Sequence, residues 1–247
     1  MKVENYDDLH KLWIRAHAAG SPIKFVRNFV VFKELDKLTP GKTLDAGCGT
    51  GEYSLFLSQR GHRVTAFDPS PYAIEELLKS SNRVLKINAE VNSIEGFCSP
   101  PLFDNIVSIE VFEHIERDHI AIQKLYSLLK QGGVMVISVP ATPFLYSKAD
   151  KISGHFRRYS KDDFENLLVD AGFKKIQIRR YGFPILFCYS LIRKLFLDRI
   201  LLSYFSSPDF KEEKGKNIFS KLYPALLKID QLNIPLWSVG FVACCQK

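Results

Sequence analysis

The chain reads as an α/β protein, a doubly wound and mostly parallel sheet of seven strands with helices on both faces. Three observations predict this. Short runs rich in β-branched and apolar residues alternate with helical patterns along most of the sequence, and strands separated by helices must cross over and pair in parallel. The first run ends at Asp45-Ala46 and passes straight into Gly47-Cys48-Gly49-Thr50-Gly51 and a helical pattern, a strand, glycine turn and helix that can cradle a nucleotide-type ligand. The 247 residues, 46% of them hydrophobic, suffice for one sizeable core with elaborations.

Taken in order, residues 1–39 are expected to form an N-terminal helical cap on the substrate side or on the sheet. Within it Ser21 can cap a helix whose first position is Pro22, and Phe25, Phe29, Phe32 and Leu35 recur at helical spacing. The core follows over 40–182, with strands at 43–46, 63–67, 84–87, 103–110, 134–139 and 173–180. Helices are expected at 52–60, 71–80, 117–130 and 160–171, the third ended by Gly132-Gly133. A helical insertion or lid spans 183–236, and 237–247 supplies the last strand, expected at 238–245. In the insertion, an apolar run over 183–192 leads into a helix whose charges at 193, 194, 198 and 199 share one face opposite a broad apolar one.

Glycine spacing narrows the ligand. A dinucleotide turn is G-x-G-x-x-G, but the position of its third glycine holds Glu52. The second strand ends in Asp68, where an acid can accept hydrogen bonds from ribose hydroxyls. Asp45-x-Gly47-x-Gly49-x-Gly51, together with Asp68, Asn88-Ala89 and the Phe103-Asp104-Asn105-Ile106 strand, resembles the class I S-adenosylmethionine (SAM) methyltransferases. The resemblance implies a Rossmann-like methyltransferase fold with the last strand antiparallel between the fifth and sixth. It also implies SAM as cofactor, S-adenosylhomocysteine as product, and contacts from Asp45, Gly47, Cys48, Gly49, Gly51, Asp68, Asn88 and Ala89. Asn88 departs from the family's usual Asp, although its side-chain oxygen still accepts.

Two constellations fall at the carboxyl ends of the strands, where open α/β sheets bind ligands. The first is Glu110-Val111-Phe112-Glu113-His114. Its E-x-x-E-H pattern resembles the metal-binding motif of ubiquinone-pathway O-methyltransferases and of small-RNA 3′-end 2′-O-methyltransferases, in which a later histidine completes the site. His155 is the candidate for that histidine. Glu110, Glu113, His114 and His155 are therefore the candidate catalytic residues, either around a divalent ion that draws a hydroxyl toward its alkoxide or with His114 or His155 as general base. The second constellation, His155-Phe156-Arg157-Arg158-Tyr159, comes after Tyr146-Ser147 and Asp150. It looks like a pattern in bacterial methyltransferases of polysaccharide and polyprenyl-linked glycan genes. Arg157 and Arg158 can fork around a carboxylate or phosphate, so with Tyr159 they are the candidate substrate contacts. The alternative is that one arginine pairs Asp162 or Asp163 while the other is solvated.

Absences narrow the reaction. No Asn/Asp-Pro-Pro-Tyr/Phe follows the fourth strand and no Pro-Cys nucleophile occurs, which disfavours methylation of nucleic-acid bases; Ser99-Pro100-Pro101 precedes the strand and reads as a turn. The expected reaction is SAM-dependent methyl transfer to oxygen, less readily to nitrogen or carbon, of a small or lipid- or glycan-linked acceptor. The net charge of +7 favours an anionic one. An RNA ribose 2′-O-methyltransferase and a non-catalytic SAM-binding partner protein are the alternatives, but no RNA-binding module is recognisable. Five cysteines without C-x-x-C pairing and an N-terminus without an apolar leader segment point to the cytoplasm. No apolar run is long enough to span a bilayer, which leaves peripheral contact with the inner membrane surface.

Overall fold

The structure is a computed structural model that describes residues 21–81, 87–98, 102–197 and 237–247. Helix α1 (Pro22–Leu35) precedes β1 (Lys42–Ala46), α2 (Glu52–Gln59), β2 (Arg63–Asp68), α3 (Pro71–Ser80), β3 (Ile87–Val91) and β4 (Phe103–Ile109). The chain continues through α4 (Asp118–Leu128), β5 (Leu129–Pro140), α5 (Lys148–Ile152), α6 (Lys161–Asp170), β6 (Lys174–Tyr181), α7 (Ile185–Ile192) and β7 (Gly240–Gln246). The sheet order is β3-β2-β1-β4-β5-β7-β6. The contacts β1·β2, β1·β4, β2·β3 and β4·β5 are parallel, whereas β7 runs antiparallel between β5 and β6, as the resemblance implied.

Both faces of the sheet are buried, which is why the central strands are nearly continuous apolar runs. Alternation sends Leu44, Ala46, Phe67, Ile106 and Ile137 into one core and Val64, Ala66, Val107, Ile109 and Val136 into the other. The strand order reverses between β1, which pairs outward to β2, and β4, which pairs outward to β5. Ligand crevices form at such a switch point. It brings the turn after β1 and the segment after β4 side by side at one edge.

Several elements differ from the sequence expectation. Ser21 does cap α1, with Pro22 in its first turn. However, Phe25 and Phe29 are 54% and 44% exposed, and the helix instead buries Val26, Arg27, Val30, Val31, Glu34 and Leu35. Arg27 and Glu34 can face inward because each is buried as an ion pair, with Glu110 for the first and with Lys37 and Arg179 for the second. Helix α4 stops at Leu128 rather than at the glycine pair, because Leu129 already pairs with Phe103 and is fully buried. Gly132, at φ 75°, lies within the irregular stretch that restores register at Asn105↔Val134. The expectations for residues 1–20, for strand residues 84–86, for the turn at 99–101 and for insertion residues 198–236 fall outside the described residues.

At the opposite edge, His62 is buried and its Nδ1 lies 2.7 Å from Thr43 Oγ1, which also accepts from Asn105 Nδ2 at 3.3 Å. Burial lowers the His62 pKa below 6.5. The unfolded chain therefore binds a proton that the folded one refuses, so the neutral imidazole contributes stability above about pH 6.5 that is lost as pH falls through the folded pKa. The stability difference between wild type and His62→Gln, measured by urea unfolding, is expected to shrink as the pH is lowered below that value. A pH-independent difference would show that this histidine does not titrate with unfolding.

Candidate active site

The glycine turn is built from residues that few other sequences could supply. Gly47, Gly49 and Gly51 have φ of 78°, 51° and 85°, a region that L side chains avoid. A Cβ on Gly51 would stand 2.1 Å from Leu77 Cδ1, and one on Gly47 would stand 2.5 Å from Val111 Cγ2. The turn is thus packed directly on the Glu110–His114 segment. Its backbone is tied to β2, since the N–H groups of Gly47 and Cys48 both donate to Phe67 O at 2.9 and 3.0 Å. Asp68 accepts from Gly49 N through Oδ2 and from Ser70 N through Oδ1, both at 2.9 Å. Gly51 caps α2 without a side-chain bond, and in the first turn of that helix the Ser54 backbone N–H is turned to the Asp45 carboxyl.

Four of the expected cradle residues, Asp45, Cys48, Asn88 and Ala89, are tied into the fold as follows. Asp45 is buried beneath the turn; its Oδ2 accepts from Ser54 Oγ at 2.6 Å, and burial pushes its carboxyl up to about 7. It ties β1 to α2. Cys48 is also buried, which raises its thiol pKa. Strand β3 begins at Ile87 and continues through Val91, so Asn88 and Ala89 pair with Thr65 and Ala66 inside the sheet, and Val91 is the residue opposite Asp68. The carboxyl edge near Asp68 is therefore formed by Glu90, Val91 and Asn92, two to three residues later than the sequence pattern suggested. Asn92 N donates to Asp68 O at 3.1 Å.

At the end of β4, Glu110 leaves the strand with φ 56°, and its N–H donates to Ser138 O. Its carboxylate turns toward α1 and β5: Oε2 lies 3.2 Å from Arg27 Nη1, and Oε1 accepts from Ser138 Oγ at 2.8 Å. Burial opposes the Arg27 charge, yet Tyr53, Glu110 and Tyr181 together raise its pKa. Glu110 is thus engaged by Arg27 and Ser138 and is not among the three candidates whose ligand atoms meet. Those three converge: ligand atoms of Glu113, His114 and His155 all lie within 4.8 Å of one another. The two imidazoles meet edge to face with centroids 4.7 Å apart. Glu113 is 1% exposed, neither carboxyl oxygen has a hydrogen-bond partner among the described residues, and burial followed by the Glu110 charge raises its pKa well above the ordinary value.

His155 is held from several sides. Its Nδ1 lies 3.1 Å from Asp150 Oδ1, its carbonyl accepts from Tyr146 Oη at 2.7 Å, and the next N–H, of Phe156, donates to Glu113 O at 2.7 Å. The rest of the segment is committed to the protein. Arg158, with a side chain 6% exposed, donates to Asp150 Oδ1 through Nε and Nη2 at 3.0 and 2.8 Å and to Ala141 O at 3.3 Å. Arg157 reaches Glu116 O and Asp118 Oδ2, both at 2.7 Å. The Tyr159 hydroxyl donates to Asp118 Oδ2 at 2.8 Å and lies 3.2 Å from Phe112 O; burial, then Asp118, raises its pKa. Neither arginine uses Asp162 or Asp163, and their observed contacts are clamps rather than a free anion fork.

This commitment has a measurable consequence. Arg158→Lys is expected to lower stability by about 1.5–3 kcal/mol, the scale of a hydrogen bond to a buried charge, and Arg157→Lys by less because it is partly exposed. Neither should move acceptor KM by more than the loss of folded protein explains. Unfolding curves like wild type together with a raised KM would instead make the arginines substrate contacts.

The residues missed by sequence reasoning are Arg27, Tyr53, Ser138 and Tyr181. Asp150 stood beside the second constellation without a role, although Ser147-x-x-Asp150 has the spacing of a capping box.

A family model described as "Methyltransferase domain" matches residues 16–178. The chain is 31% identical over 148 residues to the mitochondrial ubiquinone biosynthesis O-methyltransferase of Schizosaccharomyces pombe, covering 56% of this chain and 54% of that protein. It spans about half the length of the curated relatives it matches. Among solved structures, the fold resembles phosphoethanolamine N-methyltransferase 2 of Haemonchus contortus, in complex with S-adenosyl-L-methionine, with TM-score 0.61, 17% identity and coverage of 90% of this chain and 52% of that one. It also resembles an S-adenosylmethionine dependent methyltransferase from Mesorhizobium loti, with TM-score 0.61, 12% identity and coverage of 92% and 99%.

Proposed function

The chain belongs to the methyltransferase domain family, and we propose that it transfers a methyl group from SAM to an oxygen of a small or lipid-linked acceptor. One observation carries this reading: the glycine cradle and the Glu113–His114–His155 cluster are packed on each other through Gly47 and Val111. When bound, SAM supplies a sulfonium-activated methyl group. The turn at 47–51 would approach it by backbone, Asp68 would accept from its ribose, the N-terminal end of α2 would face its carboxylate, and Glu90–Asn92 would border the adenine side. The cluster lies beside the place where the methyl group must emerge, so an acceptor hydroxyl held there is both aligned and deprotonated. His155 is the proton acceptor.

A divalent ion is a second reading, favoured by the buried Glu113 carboxyl that has no partner among the described residues. Glu113, His114 and His155 would hold it, and it would lower the pKa of a hydroxyl bound to it. The first turns of the 183–236 segment support a lid at the acceptor side, since the Lys194 ammonium bonds the carbonyl of Phe144 and lies 4.5 Å above its ring. We place the enzyme with peripheral access to a lipid-linked, anionic acceptor; no helix among the described residues is long and apolar enough to cross a membrane.

Incubation with methyl-labelled SAM and three acceptor panels tests the proposal: hydroxylated aromatics bearing polyprenyl tails, lipid-linked glycans, and RNA. Label in either of the first two supports it. Label only in RNA favours the ribose methyltransferase, and no label in any panel with tight SAM binding favours a non-catalytic partner. The ion reading predicts loss of turnover with a chelator and recovery with Mg²⁺, Mn²⁺ or Zn²⁺; chelator-insensitive turnover would remove it.

A further inference from the structure

Asp150 sits where two demands meet. Its Oδ2 accepts from Ser147 N at 2.8 Å and closes the capping box of α5, while its Oδ1 receives His155 Nδ1 and both Nε and Nη2 of Arg158. Capping a five-residue helix does not require a carboxylate that is 3% exposed and shared with an arginine and a histidine. We infer that Asp150 is a positioning residue for this site: it takes the Nδ1–H of His155 and fixes the imidazole as the tautomer whose Nε2 lone pair is open, with Arg158 holding the carboxylate in place.

What each group can donate fixes the tautomer. An ionised carboxylate only accepts, and every arginine nitrogen only donates. Arg158 on the same oxygen keeps Asp150 ionised. The nitrogen of His155 that faces this oxygen must then carry the hydrogen, which leaves Nε2 as the nitrogen that can receive a proton or bind an ion. A histidine oriented through its second nitrogen by a carboxylate is the usual arrangement for either task. The backbone agrees with this placement, because Tyr146 Oη and Phe156 N hold His155 against Asp150 on one side and Glu113 on the other. The spacing Asp150-x₄-His155-x₂-Arg158 thereby acquires a purpose: cap, base and clamp meet on one oxygen. The catalytic consequence, though not the tautomer, rests on the methyl-transfer reading above.

Nitrogen-15 NMR of the full chain labelled at histidine tests the inference without any acceptor, with His155→Gln assigning the resonance. In its neutral form wild-type His155 is expected to show a protonated Nδ1 and a bare Nε2. In Asp150→Ala the signal should move to the Nε2–H form or to an average of both. A wild-type Nε2–H tautomer, or a spectrum unchanged in Asp150→Ala, would overturn the inference, and the wild-type measurement decides even if the variant does not fold. With an acceptor in hand, Asp150→Ala should lower kcat on the order of 10²-fold while leaving KM and SAM affinity near wild type. Wild-type protein with the expected tautomer but no methyl transfer would count against the proposed reaction and leave the positioning role intact.

Discussion

Removing the His155 imidazole with His155→Ala is expected to reduce kcat for methyl transfer on the order of 10²- to 10⁴-fold, the span usual for loss of a general base. SAM affinity should be unchanged, because the cradle is held by hydrogen bonds from Gly47, Cys48 and Gly49 to β2, none of which involves residue 155. The substitution leaves Asp150 paired with Arg158, so no buried charge is orphaned and the fold should persist. The contrast with Glu110 is informative. That carboxylate balances Arg27 in the wall formed by α1, so Glu110→Ala strands a buried cation and should act mainly on stability. Single-turnover kinetics with calorimetry of SAM binding separates the two. A His155→Ala enzyme with near wild-type single-turnover rates would remove this histidine from the chemistry.

Asp68→Ala should weaken SAM binding by about 1–3 kcal/mol, the scale of a lost charged hydrogen-bond acceptor, which is about 5- to 160-fold in Kd. Two effects add. The ribose loses its acceptor, and the N–H groups of Gly49 and Ser70 lose the carboxylate that fixes the turn. Gly51→Val should be more severe, because a β-branched residue is forced to φ 85° with its Cβ 2.1 Å from Leu77 Cδ1. Calorimetry gives the result directly. Unchanged affinity in Asp68→Ala, or tighter binding of NAD than of SAM by wild type, would sink the cofactor assignment.

The legible parts of the fold were those set by neighbours in sequence. Helix α3 occupies the expected 71–80 span because Ser70 accepts from Ala73 N and Pro71 fills the first position, a local start signal. The glycine turn was readable because only glycine tolerates three positive φ values so close together. The convergence of His155 on Glu113 and His114 was also foreseen, since two motifs that follow adjacent parallel strands must emerge at the same edge. The register of β3 was not. Its exposed, mixed residues carry no strong alternation, and the position of Asn88 relative to Asp68 depends on pairing with β2.

By itself, then, the sequence determined the alternation of strands and helices, the cradle, and the two motifs that meet beside it, because each rests on backbone conformations and periodicities that neighbouring residues impose. Tertiary structure alone decided which charges are free to act. Glu110, Arg157 and Arg158 look equivalent to Glu113 and His155 in a linear string. Burial makes each charge seek the nearest partner the fold supplies: Arg27 from α1 for Glu110, Asp118 from α4 for Arg157, and Asp150 from α5 for Arg158. These partners lie from 8 to 83 residues away, a separation that no local pattern encodes. Among the described residues Glu113 received no such partner and His155 one, on a single nitrogen, and that difference in satisfaction is what makes these two the candidates for reaction.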